Sequence, residues 1–167
     1  LESIWNINSD ESSITFATES LKLSSNILPK ILKNPNDIEN RLLMQLSSLL
    51  AGLAISKTKT ALAHSISYPL TSHFEIPHGL ASSFSLVSIY KYVKENTDFK
   101  FPEASTILQT INILSELNLA EKILNFASKK QIEGLQDEMF SSERAQNFAY
   151  SISDDNLKDI IRSSLNH

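Results

Sequence analysis

Several residue types that build common functional sites are missing from this sequence or scarce in it. It contains no cysteine, which excludes disulfide bonds and thiolate metal ligands. The three glycines, Gly52, Gly79 and Gly134, are too far apart to form the glycine-rich loop that holds a dinucleotide pyrophosphate. Valine- and isoleucine-rich runs that alternate with helical segments are also missing, so a parallel sheet is not predicted. A dinucleotide-binding site within this chain is therefore not expected.

The charge and hydropathy patterns exclude two further classes of partner. With a net charge of −4 and a pI near 5.6, the 167-residue chain has no basic stripe that would bind nucleic acid. Its most apolar run, from Leu42 to Ile55, is shorter than a membrane span and contains polar residues. No signal-peptide pattern begins the sequence. We therefore expect a cytoplasmic protein with no nucleic-acid or membrane partner, folded as one domain over residues 1–167.

The hydrophobic periodicity is helical nearly throughout, and it predicts an all-α, multi-helix bundle of about eight to ten helices. A first helix is expected to be capped by Asp10 and to kink or break at Pro29. The next helix, Ile38 to Ile55, is apolar almost all round in its later turns, which predicts a buried central helix. A long helix is predicted from Pro77 to about Glu95.

Two histidines fourteen positions apart stand out because each has a special position relative to a proline. His64 falls in the first turns of a predicted helix that Pro69 is expected to break. His78 directly follows Pro77, which favours a helix start. Two helix ends joined by a short bent connector can aim two imidazoles at one point, as a divalent-metal site requires. Taken alone, the spacing also fits two structural histidines at helix ends.

The residues around both histidines resemble the iron-containing alcohol dehydrogenase family. The similarity is carried by residues 49–64 and by residues 76–81, which include Pro-His-Gly. In that family a His and, fourteen residues later, the His of a Pro-His-Gly supply two of four ligands to the catalytic metal. The resemblance therefore implies that His64 and His78 are metal ligands. The Tyr-Pro-Leu-Thr sequence that starts at Tyr68 is closest to the branch that includes phosphonoacetaldehyde and maleylacetate reductases.

The resemblance also implies that this chain is one domain of a longer enzyme. Leu1-Glu2-Ser3 is similar to the continuation of the family's helix that carries the other two ligands, an Asp and a His, which would then lie just upstream of Leu1. Residues 143–147 are similar to the family's closing Arg-x-x-Asn. Residues 1–167 would be the all-helical, metal-binding C-terminal domain, of the dehydroquinate synthase-like type. An N-terminal α/β nucleotide-binding domain is expected upstream.

The activity implied by the resemblance is that of an NAD(P)-dependent alcohol dehydrogenase or aldehyde reductase. The metal, Fe²⁺ or Zn²⁺, would polarise the carbonyl or alkoxide oxygen of the substrate during hydride transfer. NAD or NADP would be bound mainly by the N-terminal domain, so no cofactor-binding residue is assigned in this chain. The expected partners are a small-molecule alcohol or aldehyde, the protein's own N-terminal domain and further copies in a homo-oligomer. This chain alone is expected to be inactive.

Other polar residues near the histidines have more than one interpretation. Tyr68 stands where many relatives have a second His, and it is expected either to line the substrate pocket or to pack as an ordinary tyrosine. Lys57 and Lys59 can attract an anionic substrate or be solvated loop residues. His73 is expected at the surface or at a cleft edge rather than as a third ligand, and the terminal His167 is expected to be disordered. Four acidic residues are interpreted as helix caps or surface charges without a catalytic role: Glu2, Asp10, Asp37 and Asp155.

Two other hypotheses fit the same sequence. In the first, the chain is a non-catalytic helical interaction or scaffold domain, and the histidines are structural. In the second, a complete zinc site is formed by His64, His73 and His78. The three hypotheses differ in metal content, because a scaffold needs no metal and a complete zinc site holds its metal without an N-terminal domain.

Overall fold

The computed structural model describes residues 1–140 and 143–166, and the regular elements in this part are helices, which confirms the predicted all-α class. The expectation for His167 falls outside the described residues. Two short 3-10 helices, Glu2–Trp5 and Ala145–Asn147, lie near the two ends of the chain. The α-helices are α1 (Glu11–Lys33), α2 (Ile38–Thr58), α3 (Leu62–Phe74), α4 (His78–Ser83), α5 (Leu86–Asn96), α6 (Ala104–Glu116), α7 (Leu119–Leu124), α8 (Lys129–Glu133), α9 (Gln136–Phe140) and α10 (Asp154–Ser164).

Side-chain caps begin α1 and α2 at the predicted residues. The Asp10 carboxylate accepts a hydrogen bond from the backbone N–H of Ser13 at 2.6 Å, and the Ser13 hydroxyl accepts one from the Asp10 N–H at 2.9 Å. The bond from the Ser13 N–H, followed by one from the Ser12 hydroxyl, lowers the pKa of Asp10 to about 2. Asp37 caps α2 by accepting from the backbone N–H of Asn40, which lowers the pKa of Asp37 as well. The interpretation of both aspartates as caps is confirmed.

Neither Pro29 nor Pro69 breaks its helix, so the break predicted at Pro69 was wrong and, of the kink or break expected at Pro29, the break is excluded. Each lies inside a continuous helix, Pro29 in α1 and Pro69 in α3. Proline removes the hydrogen bond to the carbonyl four residues earlier. For Pro29 that carbonyl belongs to Ser25, and it accepts from the side-chain amide of Gln109 in α6 at 3.5 Å. Pro69 is buried, and α3 packs against α4 and α9. Tertiary contacts thus outweigh the local cost of each proline.

Helix α2 departs most from the sequence prediction, because it is not a buried central helix. It packs along α1 through small residues: the hydroxyls of Ser20 and Ser47 each donate to the other's backbone carbonyl at 2.8 Å. Its large apolar side chains face outward and are 37–72% exposed: Ile38, Leu42, Leu43, Leu46, Leu49 and Leu53. A strongly apolar helix in a sequence indicates that another part of a protein covers that helix. The sequence does not indicate whether the covering part belongs to the same chain. Over residues 1–140 and 143–166, neither α2 nor another helix is long and apolar enough to span a membrane.

The hydrophobic core lies between α3, α5, α6 and α10, and the sole tryptophan, Trp5, is fully buried in it. The predicted long helix after Pro77 is divided into α4 and α5 by a turn at Phe84 and Ser85, which places the Phe84 side chain in the core. The two chain ends meet beside α3. The Ala149 N–H donates to the Trp5 carbonyl at 3.1 Å, and the Ile7 N–H donates to the Asn147 carbonyl at 2.9 Å. This pairing brings both 3-10 helices to one side of the bundle.

Candidate functional site

The two predicted ligands, His64 and His78, lie next to each other. His64 is in the first turn of α3 and His78 is the first residue of α4, and their ring centroids are 5.2 Å apart. A three-residue connector, residues 75–77, turns the chain back so that the two helix starts meet, and Pro77 immediately precedes α4 as predicted. The His64 side chain is 19% exposed, whereas His78 is largely exposed. The fold therefore brings together two imidazoles that are far apart in sequence.

A buried carboxylate, Glu2, holds His64 in place. Glu2 is 5% exposed, so its interpretation as a cap or surface charge was wrong. One carboxylate oxygen accepts from the backbone N–H of His64 at 3.2 Å, and the other contacts His64 Nδ1. A carboxylate can only accept a hydrogen bond, so this contact favours the tautomer of His64 that carries its proton on Nδ1 and leaves the lone pair of Nε2 for a ligand. Glu2 is a positioning residue that sequence spacing could not reveal, since 62 positions separate it from His64.

Tyr68 and Arg144 extend the histidine pair into a larger cluster. The Tyr68 ring centroid is 5.7 Å from that of His78 and 6.5 Å from that of His64, and the residue is 42% exposed. The guanidinium carbon of Arg144 lies 4.1 Å from the centroid of the Tyr68 ring. The side-chain amide of Asn147 donates to the Thr60 carbonyl at 2.8 Å, which ties the segment carrying Arg144 to the start of α3. Tyr68 therefore lies beside both histidines and is partly exposed.

The remaining candidates from the sequence have other partners. His73 Nε2 lies 2.9 Å from a carboxylate oxygen of Glu138 in an exposed pair. Lys57 lies 3.6 Å from the carboxylate of Asp10, and the Lys59 carbonyl accepts from the Asn6 amide at 3.3 Å. None of these contacts involves the histidine pair.

The donor set fits half of a metal site. Two imidazole nitrogens suit Fe²⁺ or Zn²⁺, but a protein-bound zinc ion takes about four ligands. In the described part of the chain, no group of three or more His, Cys, Asp or Glu side chains could hold a metal ion. Any further ligands for His64 and His78 would therefore come from outside these residues.

Comparisons with known proteins agree with this arrangement. Residues 1–162 match the family described as "Fe-containing alcohol dehydrogenase family, C-terminal". The chain is 32% identical over 91 residues to a phosphonoacetaldehyde reductase of Streptomyces viridochromogenes, which covers 54% of this chain and 23% of that protein. It is 30% identical over 96 residues to long-chain-alcohol dehydrogenase 1 of Geobacillus thermodenitrificans, which covers 58% of this chain and 24% of that protein.

Solved structures show the same fold. An iron-containing alcohol dehydrogenase superposes with a TM-score of 0.74 at 26% identity, covering 99% of this chain and 45% of that chain. A sulfoacetaldehyde reductase from Bifidobacterium kashiwanohense, solved with NAD⁺, superposes with a TM-score of 0.78 at 24% identity, covering 98% of this chain and 46% of that chain. The predicted fold type is confirmed, and this chain spans less than half the length of each of these two proteins. The chain therefore belongs to the Fe-containing alcohol dehydrogenase family, as its C-terminal part.

Proposed function

We propose that this chain is the metal-binding helical domain of an NAD(P)-dependent alcohol dehydrogenase or aldehyde reductase. The observation that carries the proposal is the convergence of His64 and His78, 5.2 Å apart, in a chain of this family. In this proposal the two histidines hold Fe²⁺ or Zn²⁺ together with two ligands from an N-terminal part of the protein, which also binds most of NAD or NADP. A cytoplasmic location is part of the same proposal.

The residues of this chain have distinct tasks in that reaction. His64 and His78 would bind the ion, and when bound it supplies Lewis acidity that polarises the carbonyl group of an aldehyde. Glu2 keeps the proton of His64 on Nδ1, so that Nε2 stays available as a donor. Tyr68, beside both histidines and partly exposed, would form a wall that orients the substrate. Hydride comes from the nicotinamide, whose chemistry belongs to the cofactor.

The exposed face of α2 supports a partner within the same protein. Its outward leucines form one apolar stripe along the helix, and stripes of this kind mark interfaces rather than solvent-facing surfaces. The solved relatives contain about as much chain again beyond the part that this sequence matches. We therefore assign the N-terminal domain to this face, with homo-oligomer contacts elsewhere on the protein.

Metal content of the full-length protein tests the proposal. The wild type should contain about one divalent ion per chain, as measured by elemental mass spectrometry. His64→Ala and His78→Ala should each lose the ion and aldehyde reduction together, while His73→Ala, the matched control, should keep both. Unchanged metal content in the His64 and His78 variants would refute the proposal and favour a scaffold with structural histidines. Loss of metal in His73→Ala as well would contradict the assignment of the metal to His64 and His78 alone.

A further inference from the structure

Arg144 is a cation that lies next to the candidate site. Other basic side chains near carboxylates form ion pairs, such as Arg162 with Glu133 at 3.7 Å. The guanidinium carbon of Arg144 instead lies over the ring of Tyr68, 4.1 Å from its centroid, and among the residues that the structure describes no acidic side chain pairs with Arg144. A stacked guanidinium is held by its face, and its N–H donors remain directed along its edges. The edges of Arg144 are therefore available to a ligand.

The position of Arg144 is fixed by the fold. The 3-10 helix that follows it, Ala145–Asn147, has Ala145 buried and Asn147 bonded to the Thr60 carbonyl at 2.8 Å. Arg144 contacts Tyr68, and the ring centroid of Tyr68 is 5.7 Å from the ring centroid of His78. The guanidinium and the two imidazoles therefore lie next to the same partly exposed tyrosine ring.

We propose that Arg144 binds the anionic end of the substrate, whose carbonyl or hydroxyl end lies at His64 and His78. The substrate class is then a short aldehyde or alcohol that carries a phosphonate, sulfonate or carboxylate group. A planar guanidinium binds such groups through two parallel hydrogen bonds, which fixes orientation as well as charge. This proposal rests on the proposed function, because it assumes that the histidine pair marks the reacting end.

The net charge of this chain does not by itself favour an anionic substrate. The net charge is −4, so an anion is repelled by the chain as a whole. Of the two lysines considered for this role, Lys57 lies beside the carboxylate of Asp10 at 3.6 Å, and the contact described for Lys59 is made by its backbone carbonyl. Arg144 is the basic residue that contacts the cluster through Tyr68. The selectivity for an anionic group is therefore expected to depend on this residue.

The first test compares two substrates of similar size in the full-length protein: succinic semialdehyde, an anion, and its neutral methyl ester. The wild type should have the higher kcat/KM for the anion. Arg144→Gln should lower that value by about 10- to 100-fold, the range of a charge-assisted hydrogen bond, and should lower the value for the ester much less. Arg162→Gln, an exposed control, should change neither. Equal losses for the two substrates in Arg144→Gln, or no anion preference in the wild type, would overturn the proposal.

A binding measurement separates this proposal from the proposed function. Phosphonoacetate, which cannot be reduced in the same way, is titrated into the full-length protein by calorimetry. Arg144→Gln should weaken its binding by at least about 10-fold, and Arg144→Lys should restore part of it because lysine keeps the charge but not the planar fork. If neither aldehyde is reduced but this dependence is seen, the anion site stands and the reductase proposal fails. If phosphonoacetate binds the wild type and Arg144→Gln equally well, the anion site is wrong whatever the turnover.

Discussion

Replacing Glu2 by Gln should weaken metal binding without removing any metal ligand. Glu2 is 5% exposed and its two oxygens contact the backbone N–H and Nδ1 of His64. Glutamine has the same shape, but only one of its two terminal atoms accepts hydrogen bonds, and the other donates. If the amide oxygen keeps the backbone N–H, the amide nitrogen faces Nδ1 and favours the proton on Nε2. The nitrogen that should bind the metal then has no lone pair.

The size of the effect follows from the contacts that are changed. Loss of a carboxylate that orients a metal-binding histidine typically costs about 10–100-fold in metal affinity. Glu2→Ala leaves two donors of His64 without their acceptor, and a buried donor without a partner costs about 1–3 kcal/mol of stability. Glu2→Gln keeps one of the two bonds, so its loss of stability should be smaller than that of Glu2→Ala. Its loss of metal affinity should nevertheless remain.

Two measurements on the full-length protein test this reasoning. Metal affinity is measured by competition with a chelator, and the protonated ring nitrogen of His64 is identified by ¹⁵N NMR of the metal-depleted protein. Glu2→Asp should restore part of the affinity, and Glu116→Gln, an exposed control in α6, should behave as the wild type. If Glu2→Gln binds metal with wild-type affinity and keeps the proton of His64 on Nδ1, the assigned role of Glu2 is refuted.

Two further predictions concern α1 and α2. Folding lowers the pKa of Asp10 from 3.8 to about 2, so between these pH values the unfolded chain binds more protons than the folded chain. The contribution of the Asp10 cap to the free energy of unfolding is therefore complete above about pH 4. It is lost as the pH falls toward 2. Thermal melts between about pH 4 and pH 2 should show that Asp10→Asn loses less stability than the wild type as the pH falls. If the melting temperatures of the two proteins fall in parallel, the assignment of Asp10 as an ionised cap is contradicted. Leu42→Ser/Leu49→Ser should destabilise the full-length protein by about 1.5–3 kcal/mol for each leucine that a partner domain buries. The control is Leu108→Ser, at a similarly exposed leucine of α6, and it should change the free energy of unfolding measured with denaturant by about 0.5 kcal/mol or less. If Leu42→Ser/Leu49→Ser has an equally small effect, the exposed face of α2 is not the domain interface.

Local signals in the sequence predicted the helical class and several helix starts, because these depend on neighbouring residues. Asp10 and Asp37 cap their helices through residues three positions later, and Pro77 directly precedes α4. The same local rules wrongly predicted a break at Pro69, and at Pro29 they allowed a break that does not occur, because contacts from distant segments outweigh the missing hydrogen bond. The orientation of α2 could not be predicted either, since its hydrophobic residues indicate a covered surface without indicating the chain that covers it.

The candidate site shows the same division between local and distant information. His64 and His78 could be paired from the sequence through a resemblance, and the turn between α3 and α4 does bring their rings together. Glu2 and Arg144 could not be assigned from spacing, because 62 positions separate Glu2 from His64 and 76 separate Arg144 from Tyr68. Both reach the site only because the two ends of the chain meet at the bridge between Asn6 and Phe148.

The incomplete donor set and the exposed helix face have a common physical consequence. Two imidazoles alone hold a divalent ion weakly, and an apolar helix face alone gains nothing from being exposed to water. If one partner domain supplies the remaining metal ligands and also covers α2, metal binding and domain docking strengthen each other. The reason is that the metal binds the docked state more tightly than the undocked state. An ion present at a hundred times its dissociation constant would then stabilise the docked protein by about 2.7 kcal/mol. On this argument the metal is a structural link between two domains as well as a participant in the reaction.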